Sequence, residues 1–365
     1  MENIKKTCLH SRHIDLGAQM TPFGGFDMPI QYSGIVEEHQ AVRNACGVFD
    51  VSHMGEVNIS GPDAEKYVNH IFTNNVSGIS AGKILYGMMC NPEGGVVDDL
   101  LVYKRGENNF FLVINAANID KDMAWIEKNA TGYDVEINPL SDSISQLAVQ
   151  GPESEAVMEQ VLGISCADLL FYTFREESLD GRHILVSRTG YTGEDGFEIY
   201  ADDDTIMNMW DTLIASGRAL PCGLGCRDTL RFEVGLPLYG DELSETISPV
   251  EAGLGIFVNL DKPEFIGRDV LAVQKAEGAP RKLIGLELAD RAIPRHGYEV
   301  LNDKEEVVGY VTTGYRGISV DKSIAAALVD TSYAAKGTPL SIRIRRKTFP
   351  ATVTAKKFYK KSYKK

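Results

Sequence analysis

A pattern that occurs twice, ninety residues apart, limits this chain more than any other feature. In the first copy a β-like run at 57–60 meets the turn Gly61-Pro62 and a helix predicted over 63–72. In the second, a run at 146–150 meets Gly151-Pro152 and a helix predicted over 153–162. Each proline falls where a helix begins, and acids follow it: Asp63 and Glu65 in one copy, Glu153 and Glu155 in the other. Both features suit a helix N-terminus. Hairpin strands come next, 83–90 with 96–103 in the first copy and 172–178 with 183–188 in the second. Each copy closes on a strand and a helix that holds a tryptophan, 110–114 before Trp125 and 197–201 before Trp210. Asp202, Asp203 and Asp204 stand at the start of the later helix, where capping explains them without a metal. Strand, helix, two strands, helix, strand is the ferredoxin-like plan, so the chain predicts two related α+β units.

The remaining texture divides the chain further. Residues 21–29, dense in Gly and Pro, read as a loop, and a helix is predicted near 34–46. Residues 223–275 read as helix and loop. After Pro280 short β-like runs at 282–288, 299–301, 307–313, 324–329 and 340–344 are broken by Gly and Pro, the mark of a small barrel or sandwich. A length of 365 residues fits two or three domains.

Charge and cysteine content narrow the function classes. A net charge of −14 argues against general nucleic-acid binding. Residues 343–365 hold ten Lys or Arg and no Asp or Glu, either a patch for an anionic partner or a solvated tail. Six scattered cysteines suit a reducing compartment. Cys222 and Cys226 are spaced like half a metal site, with no second pair to complete it, so no metal is expected. No apolar run approaches the ~20 residues that span a bilayer. The first residues lack the apolar segment of a signal peptide. A cytoplasmic location, away from membrane and nucleic acid, is the expectation.

Three stretches carry candidate chemistry. Residues 94–103 (GGVVDDLLVY) read as a glycine turn and then a strand. Alternation puts Val97, Asp99, Leu101 and Tyr103 on one face, and Val96, Asp98, Leu100 and Val102 on the other. Each face carries one carboxylate among apolar neighbours, and a buried charge is costly without a partner. Either one aspartate serves a pocket, or one bonds turn N–H groups while the other lies at an edge. Residues 188–198 (RTGYTGEDGFE) hold three glycines and end on Glu198, which Phe197 and Tyr200 flank. Glu194 and Asp195 would repel phosphate, so this is not a phosphate loop. Glu198 could accept paired N–H donors from a flat heterocycle, or be a surface acid of a hairpin. Residues 223–233 (GLGCRDTLRFE) put Arg227 and Arg231 four apart on a helix, to grip a ligand carboxylate or to pair with Asp228. His53 has no evident nucleophile beside it.

Taken in order, FDVSHMGE at 49–56, GGVVDDL at 94–100, VINAAN at 113–118, QGP at 150–152, SRTGYTGEDGFE at 187–198, GLGCRD at 223–228 and LYG at 238–240 resemble the glycine cleavage T-protein family, the aminomethyltransferases. One departure is Phe26, where the family usually has Trp. The resemblance implies an α+β, three-domain cloverleaf around a central folate site. Its parts are a discontinuous ferredoxin-like domain 1 (1–51 and 139–275), an inserted ferredoxin-like domain 2 (52–138) and a β-rich domain 3 (276–365), a barrel or jelly roll.

It also implies the reaction. Aminomethyl-dihydrolipoyl H-protein and tetrahydrofolate give 5,10-methylenetetrahydrofolate, ammonia and dihydrolipoyl H-protein. By motif position Asp99 looks like the residue that stabilises positive charge near the folate N5. Glu198 resembles the pterin-ring acceptor. Met54, Tyr86, Asn115 and Tyr191 look like pocket wall, and Arg227 resembles a ligand contact. Tetrahydrofolate enters as co-substrate, and the lipoyl group rides on the partner H-protein. Lys356, Lys357, Lys360 and Lys361 are expected to meet H-protein or the folate glutamate. Three rivals share the resemblance. A folate-dependent demethylase module usually carries a flavin domain, for which this length leaves no room. The folate protein of iron–sulfur maintenance has a Lys-Gly-Cys signature not found here. A non-catalytic folate sensor is disfavoured by retention of both Asp99 and Glu198.

Overall fold

A computed structural model describes residues 4–360. Helix α1 (His10–Asp15) leads to a two-stranded ribbon, β1 (Gln19–Phe23) and β2 (Phe26–Gln31), then to α2 (Ile35–Asn44) and β3 (Gly47–Asp50). The ribbon corrects the loop expected at 21–29. Gly24 and Gly25 both take positive φ, +56° and +84°, and close a two-residue hairpin. Pro22 and Pro29 are tolerated because both strands of a lone ribbon are edges.

The first repeat unit runs β4 (Gly55–Ser60), α3 (Ala64–Ile71), β5 (Ile84–Cys90), β6 (Val96–Gly106), β7 (Asn109–Ile114), α4 (Ile119–Asn129), β8 (Glu136–Pro139). The second runs β9 (Ser145–Gln150), α5 (Ser154–Leu162), β10 (Phe174–Leu179), β11 (Arg182–Ser187), β12 (Gly196–Ala201), α6 (Asp203–Ser216), β13 (Leu220–Pro221). The mixed α/β class holds; the first sheet has one strand more than the four-stranded plan, and the second, which takes in β3, has two. The sheet orders are β5-β6-β7-β4-β8 and β10-β11-β12-β9-β3-β13. In the second sheet β3, from the N-terminal segment, takes the place beside β9 that β8 takes beside β4.

The helices are positioned by spacing. Ala64, Tyr67, Val68 and Ile71 recur at i, i+3, i+4 and i+7 on α3 and are buried. Ile206, Met209, Trp210 and Leu213 repeat that spacing on α6. Asp202 caps α6 by accepting from Thr205 N at 2.8 Å. These stripes cover one face of each sheet. The opposite faces meet each other. Ile84, Tyr103, Phe111 and Val113 of the first sheet pack on Phe174, Leu185 and Tyr200 of the second. Aromatic centroids here lie 5.1–5.8 Å apart with edges to faces.

Strand β6 departs from strict alternation. Met89 pairs with Asp98 and Cys90 with Val96, so Val97 is the extra residue of a β-bulge. The bulge exchanges the expected faces of Val96 and Val97. Val97 packs with Leu100 and Val102 in the core under α3 and α4, and Val96 packs outside it with Met88 and Cys90. Asp99, Leu101 and Tyr103 keep the expected common face, since Leu101 and Tyr103 both sit in the seam between the sheets.

Two helices, α7 (Leu224–Glu233) and α8 (Arg268–Glu277), flank a long connection that packs on the end of β5 and β6. Gly95 allows the approach: a Cβ there would lie 1.8 Å from the Glu245 carbonyl oxygen. The chain ends in a closed barrel of β14 (Arg281–Leu288), β15 (Glu299–Leu301), β16 (Val307–Arg316), β17 (Ser323–Asp330), β18 (Pro339–Ile344) and β19 (Lys347–Thr354), ordered β14-β17-β16-β15-β18-β19. β19 lies outside the runs expected from sequence, because its lysine and proline hide a short alternation of Ala351 and Val353 into the barrel core. No helix among the described residues is long and apolar enough to cross a membrane.

Candidate functional site

At one end of the seam the two sheets present their carboxylates. Asp99 follows the bulge on β6. Its Oδ2 accepts from the Tyr86 hydroxyl at 2.9 Å, and its Oδ1 accepts from Asn115 Nδ2 at 3.0 Å. Asn115 stands where β7 ends and a 3-10 turn, Ala116–Asn118, begins. The same amide reaches Asp98 Oδ1 at 2.9 Å, and Asn115 N reaches Asp98 Oδ2 at 2.9 Å. Asn118 Nδ2 adds a third donor to Asp98 at 2.6 Å.

Asp98 is therefore an interior residue and not the edge residue that one sequence reading allowed. The two asparagines of VINAAN were the available signal for it. Asp122 on α4 stands against Asp98. Burial, and then the Asp98 charge, push Asp122 up to about 11, so it is a neutral acid that can donate to Asp98. Burial also pushes Asp99 up, and the neighbouring Asp98 adds to it, to about 7. Asp99 thus ionises near neutrality.

Glu198 on β12 faces the same region from the second sheet and is 5% exposed. Thr189 Oγ1 donates to its Oε2. Burial raises Glu198 above the usual carboxylate range, against the Thr189 bond and the Arg227 charge. Arg227 comes from α7, which covers this face through Cys226 and Leu230. Its guanidinium lies 4.8 Å from the Tyr191 ring centroid, and its Nη1 is buried without a partner among the described residues. Burial lowers the Arg227 pKa, opposed by Glu198. Tyr191 donates its hydroxyl to the Pro237 carbonyl.

The seven residues singled out in the sequence thus gather in one region. Met54 packs on both the seam and the α7 cluster. Asp99, Met54, Tyr86, Asn115, Tyr191 and Arg227 are each half-buried inside an otherwise buried shell, as the lining of a cavity is. Phe257 closes on Tyr86 with ring centroids 4.9 Å apart. Lys121 donates to the Val97 carbonyl and to the Tyr239 hydroxyl, tying the 238–240 motif to β6.

Other residues have structural duties. Arg231 does not join Arg227; it is 1% exposed and bonded to Asp228 at 2.7 Å and Glu242 at 2.7 Å. His53 is buried against Phe23 and Phe26, and burial lowers it to about 4. Cys222, Cys226 and Glu38 offer donor atoms within 4.8 Å of one another. Glu38 is already engaged there, taking Tyr32 N, Gly34 N and Gly223 N, and so clasps the starts of α2 and α7. Of the basic tail, Lys356 turns inward and donates to the Ala252 carbonyl, which corrects its expected place on an open patch. Lys357 and Lys360 are exposed, and Lys361 lies outside the described residues.

Known proteins share the sequence and the fold of this chain. Residues 9–262 match the family model described as the GCVT N-terminal domain, and residues 281–360 match the glycine cleavage T-protein C-terminal barrel domain. A protein named aminomethyltransferase from Alkaliphilus oremlandii is 50% identical over 370 residues, covering 100% of both chains. Another of that name, from Thermoanaerobacter pseudethanolicus, is 48% identical over 369 residues, again with 100% of both covered. The crystal structure of the glycine cleavage system aminomethyltransferase T from Bartonella henselae superposes with a TM-score of 0.95 at 30% identity, over 100% of both chains.

Proposed function

This chain belongs to the glycine cleavage T-protein family, and from that premise we propose how its residues carry out the reaction. It is an aminomethyltransferase of the glycine cleavage system, an enzyme of the one-carbon transferase type. Identity of this level over the full chain sets aside the demethylase, iron–sulfur-maintenance and sensor readings. We propose tetrahydrofolate as the one-carbon acceptor and lipoylated H-protein as the donor, with 5,10-methylenetetrahydrofolate, ammonia and dihydrolipoyl H-protein as products. We propose domains at 1–51 with 139–275, at 52–138 and at 276–365. The pairing of β4 to β8 among themselves supports the middle one. Six free thiols, five of them buried, support the cytoplasmic location we propose.

This cluster of partly exposed side chains suits a flat, nitrogen-rich ring with acidic substituents. Glu198 supplies an acceptor on one side, Tyr86 and Tyr191 supply apolar faces, and the unpartnered Nη1 of Arg227 is a donor in want of an acceptor. Bound tetrahydrofolate supplies N5 as nucleophile and N10 to close the methylene bridge, with positive charge developing near N5. Asp99 is the residue that meets that charge. Tyr86 and Asn115 hold its two oxygens, so the carboxylate is aimed before the reaction begins and needs little reorganisation. Its shielding from water strengthens the attraction. Glu198 orients the ring by accepting N–H donors, and Arg227 answers a ligand acceptor. No cysteine nucleophile is required, since the sulfur chemistry belongs to the lipoyl arm.

One observation carries this reading: a carboxylate clasped from two sides, half-buried, that titrates near neutrality. The test is formation of 5,10-methylenetetrahydrofolate from aminomethylated H-protein by wild type, Asp99→Ala and Asp99→Asn. A fully active Asp99→Ala enzyme removes the role assigned to Asp99.

A further inference from the structure

The two carboxylates of the site come from different sheets, Asp99 from β6 and Glu198 from β12. Their relative placement therefore depends on contacts across the seam. The apolar contacts there have no direction, but a run of hydrogen bonds does. Gln146 Nε2 bonds the Tyr200 hydroxyl at 3.0 Å, and the Tyr200 and Tyr103 hydroxyls are 2.8 Å apart. Tyr103 OH lies 3.3 Å from Ser187 Oγ, and Ser187 Oγ lies 2.6 Å from Thr189 Oγ1. Thr189 Oγ1 ends the run on Glu198 Oε2. Every member is 5% exposed or less.

The ends fix the direction. An ionised carboxylate only accepts, and an amide nitrogen only donates. Each hydroxyl has one proton. Thr189 must give its proton to Glu198, so Ser187, whose other acceptor is the Glu198 carbonyl at a longer 3.5 Å, gives to Thr189 at 2.6 Å, Tyr103 to Ser187, and Tyr200 to Tyr103. Tyr200 is then left to accept from Gln146, as it does. Aligned bonds of this kind strengthen one another.

We propose that Tyr103 is a positioning residue for the transfer reaction: through Ser187 and Thr189 its hydroxyl aims a donor at Glu198, and so ties the strand bearing Asp99 to the carboxylate that receives the pterin ring. This deepens the assignment of Glu198 made above and rests on it. Tyr103 shares a strand face with Asp99, four residues on, so a shift of that strand reaches Glu198 through the chain. The groups that face Glu198 are Thr189, Arg227 from α7, Tyr103 from β6 and Tyr200 on its own strand. Burial and the Glu198 charge keep both tyrosines in the hydroxyl form. Thr189 and Arg227 hold Glu198 down against burial. Loss of the Thr189 donor therefore raises Glu198 further, and ring binding, which needs the ionised acceptor, fails at a higher pH.

The test is anaerobic calorimetry of tetrahydrofolate binding to the full-length enzyme across pH, for Thr189→Val, Thr189→Ser, Tyr103→Phe and Glu198→Gln. Thr189→Val should weaken binding about tenfold, the size of one hydrogen bond to a charged group, and raise the pH midpoint of the acid-side loss. Tyr103→Phe should do the same to a smaller extent. Thr189→Ser keeps the donor and should restore both quantities. The double variant should bind no more weakly than Thr189→Val alone, because both changes cut one chain. Thr189→Val and Tyr103→Phe with wild-type affinity and midpoint, beside a weakened Glu198→Gln, overturn the proposal. A lowered melting temperature with an unmoved midpoint also overturns it, since that is packing alone. Glu198→Gln binding like wild type refutes instead the assignment of Glu198 on which the proposal stands.

Discussion

Asp99→Asn isolates charge from shape. The amide oxygen can still accept from Tyr86, as Asp99 Oδ2 does at 2.9 Å, but its NH2 now opposes the Asn115 amide that served Oδ1. What is lost is the attraction between a carboxylate and a cationic centre. At about 4 Å and an effective dielectric near 20 that attraction is about 4 kcal/mol. Removing it from the transition state alone lowers the rate by about three powers of ten. Tetrahydrofolate is neutral at N5 before reaction, so its affinity should change only a few-fold. The assay is single-turnover formation of 5,10-methylenetetrahydrofolate with aminomethylated H-protein, beside direct measurement of folate binding. The pH profile sharpens it. Asp99 titrates at about 7, so the wild-type rate should rise with pH through that region, and the variant should lose that limb. A variant within about tenfold of wild type above that limb refutes the electrostatic argument, because one neutral hydrogen bond accounts for no more than that.

Tyr86→Phe removes one of the donors that hold Asp99 ionised, so the rising limb should move to higher pH by about one unit, read from single-turnover rates. Asp50→Asn should destabilise the enzyme by about 3 kcal/mol at neutral pH in urea titration, since it breaks a buried pair. Burial alone would raise Asp50, but His13, Thr7 and Ser52 N outweigh it and hold the carboxyl below its ordinary value. That stability is present above the unfolded value near 3.8 and should fade only as pH falls through the lower folded value, a slope absent from Asp50→Asn. Gly95→Ala should cost on the order of 2 kcal/mol or more in thermal melts, because its Cβ would meet the Glu245 carbonyl oxygen at 1.8 Å. An unchanged melting temperature would mean that the connection over the end of β5 and β6 yields freely.

Where the sequence was legible, the reason is that local chemistry and global packing agree. The Gly-Pro turns, the acids after them and the 3.6-residue stripes on α3 and α6 all say the same thing at both copies. It failed where a long-range contact decides. Ala and Val alternate through β19, but Pro350 and Lys347 mask the run, which pairs with β18 on one side and closes the barrel against β14 on the other. Nothing local marks Val97 as a bulge, yet the bulge decides which of Val96 and Val97 enters the core under α3 and α4. Asp99 and Glu198 could be suspected from their own chemistry, as charges in apolar strands. Met54, Tyr86, Asn115 and Tyr191 could not, because wall residues are ordinary until the wall exists. Arg227 and Arg231 looked equivalent at a spacing of four. The buried pair of Arg231 with Glu242 separates them, and that partner lies beyond α7.

The site also shows why the chain uses two copies of one unit. Each unit covers one sheet face with its own helices and leaves the other apolar and open. Burying both open faces against each other yields the aromatic seam, and burial at roughly 25 cal/mol per Å² outweighs much that would otherwise be unaffordable nearby. What it must offset is the cost of Asp98, Asp99 and Glu198 held from bulk water within the same shell. The carboxylates lie at the end of the seam, where β6 and β12 run out of apolar partners and α7 and the 238–240 motif take over. A charge placed deeper without donors would be neutralised, as burial and the Asp98 charge neutralise Asp122. A charge placed farther out would be screened. Asp99, half-buried and titrating near neutrality, sits between those limits, where a carboxylate is still ionised and its field on a developing cation is still strong.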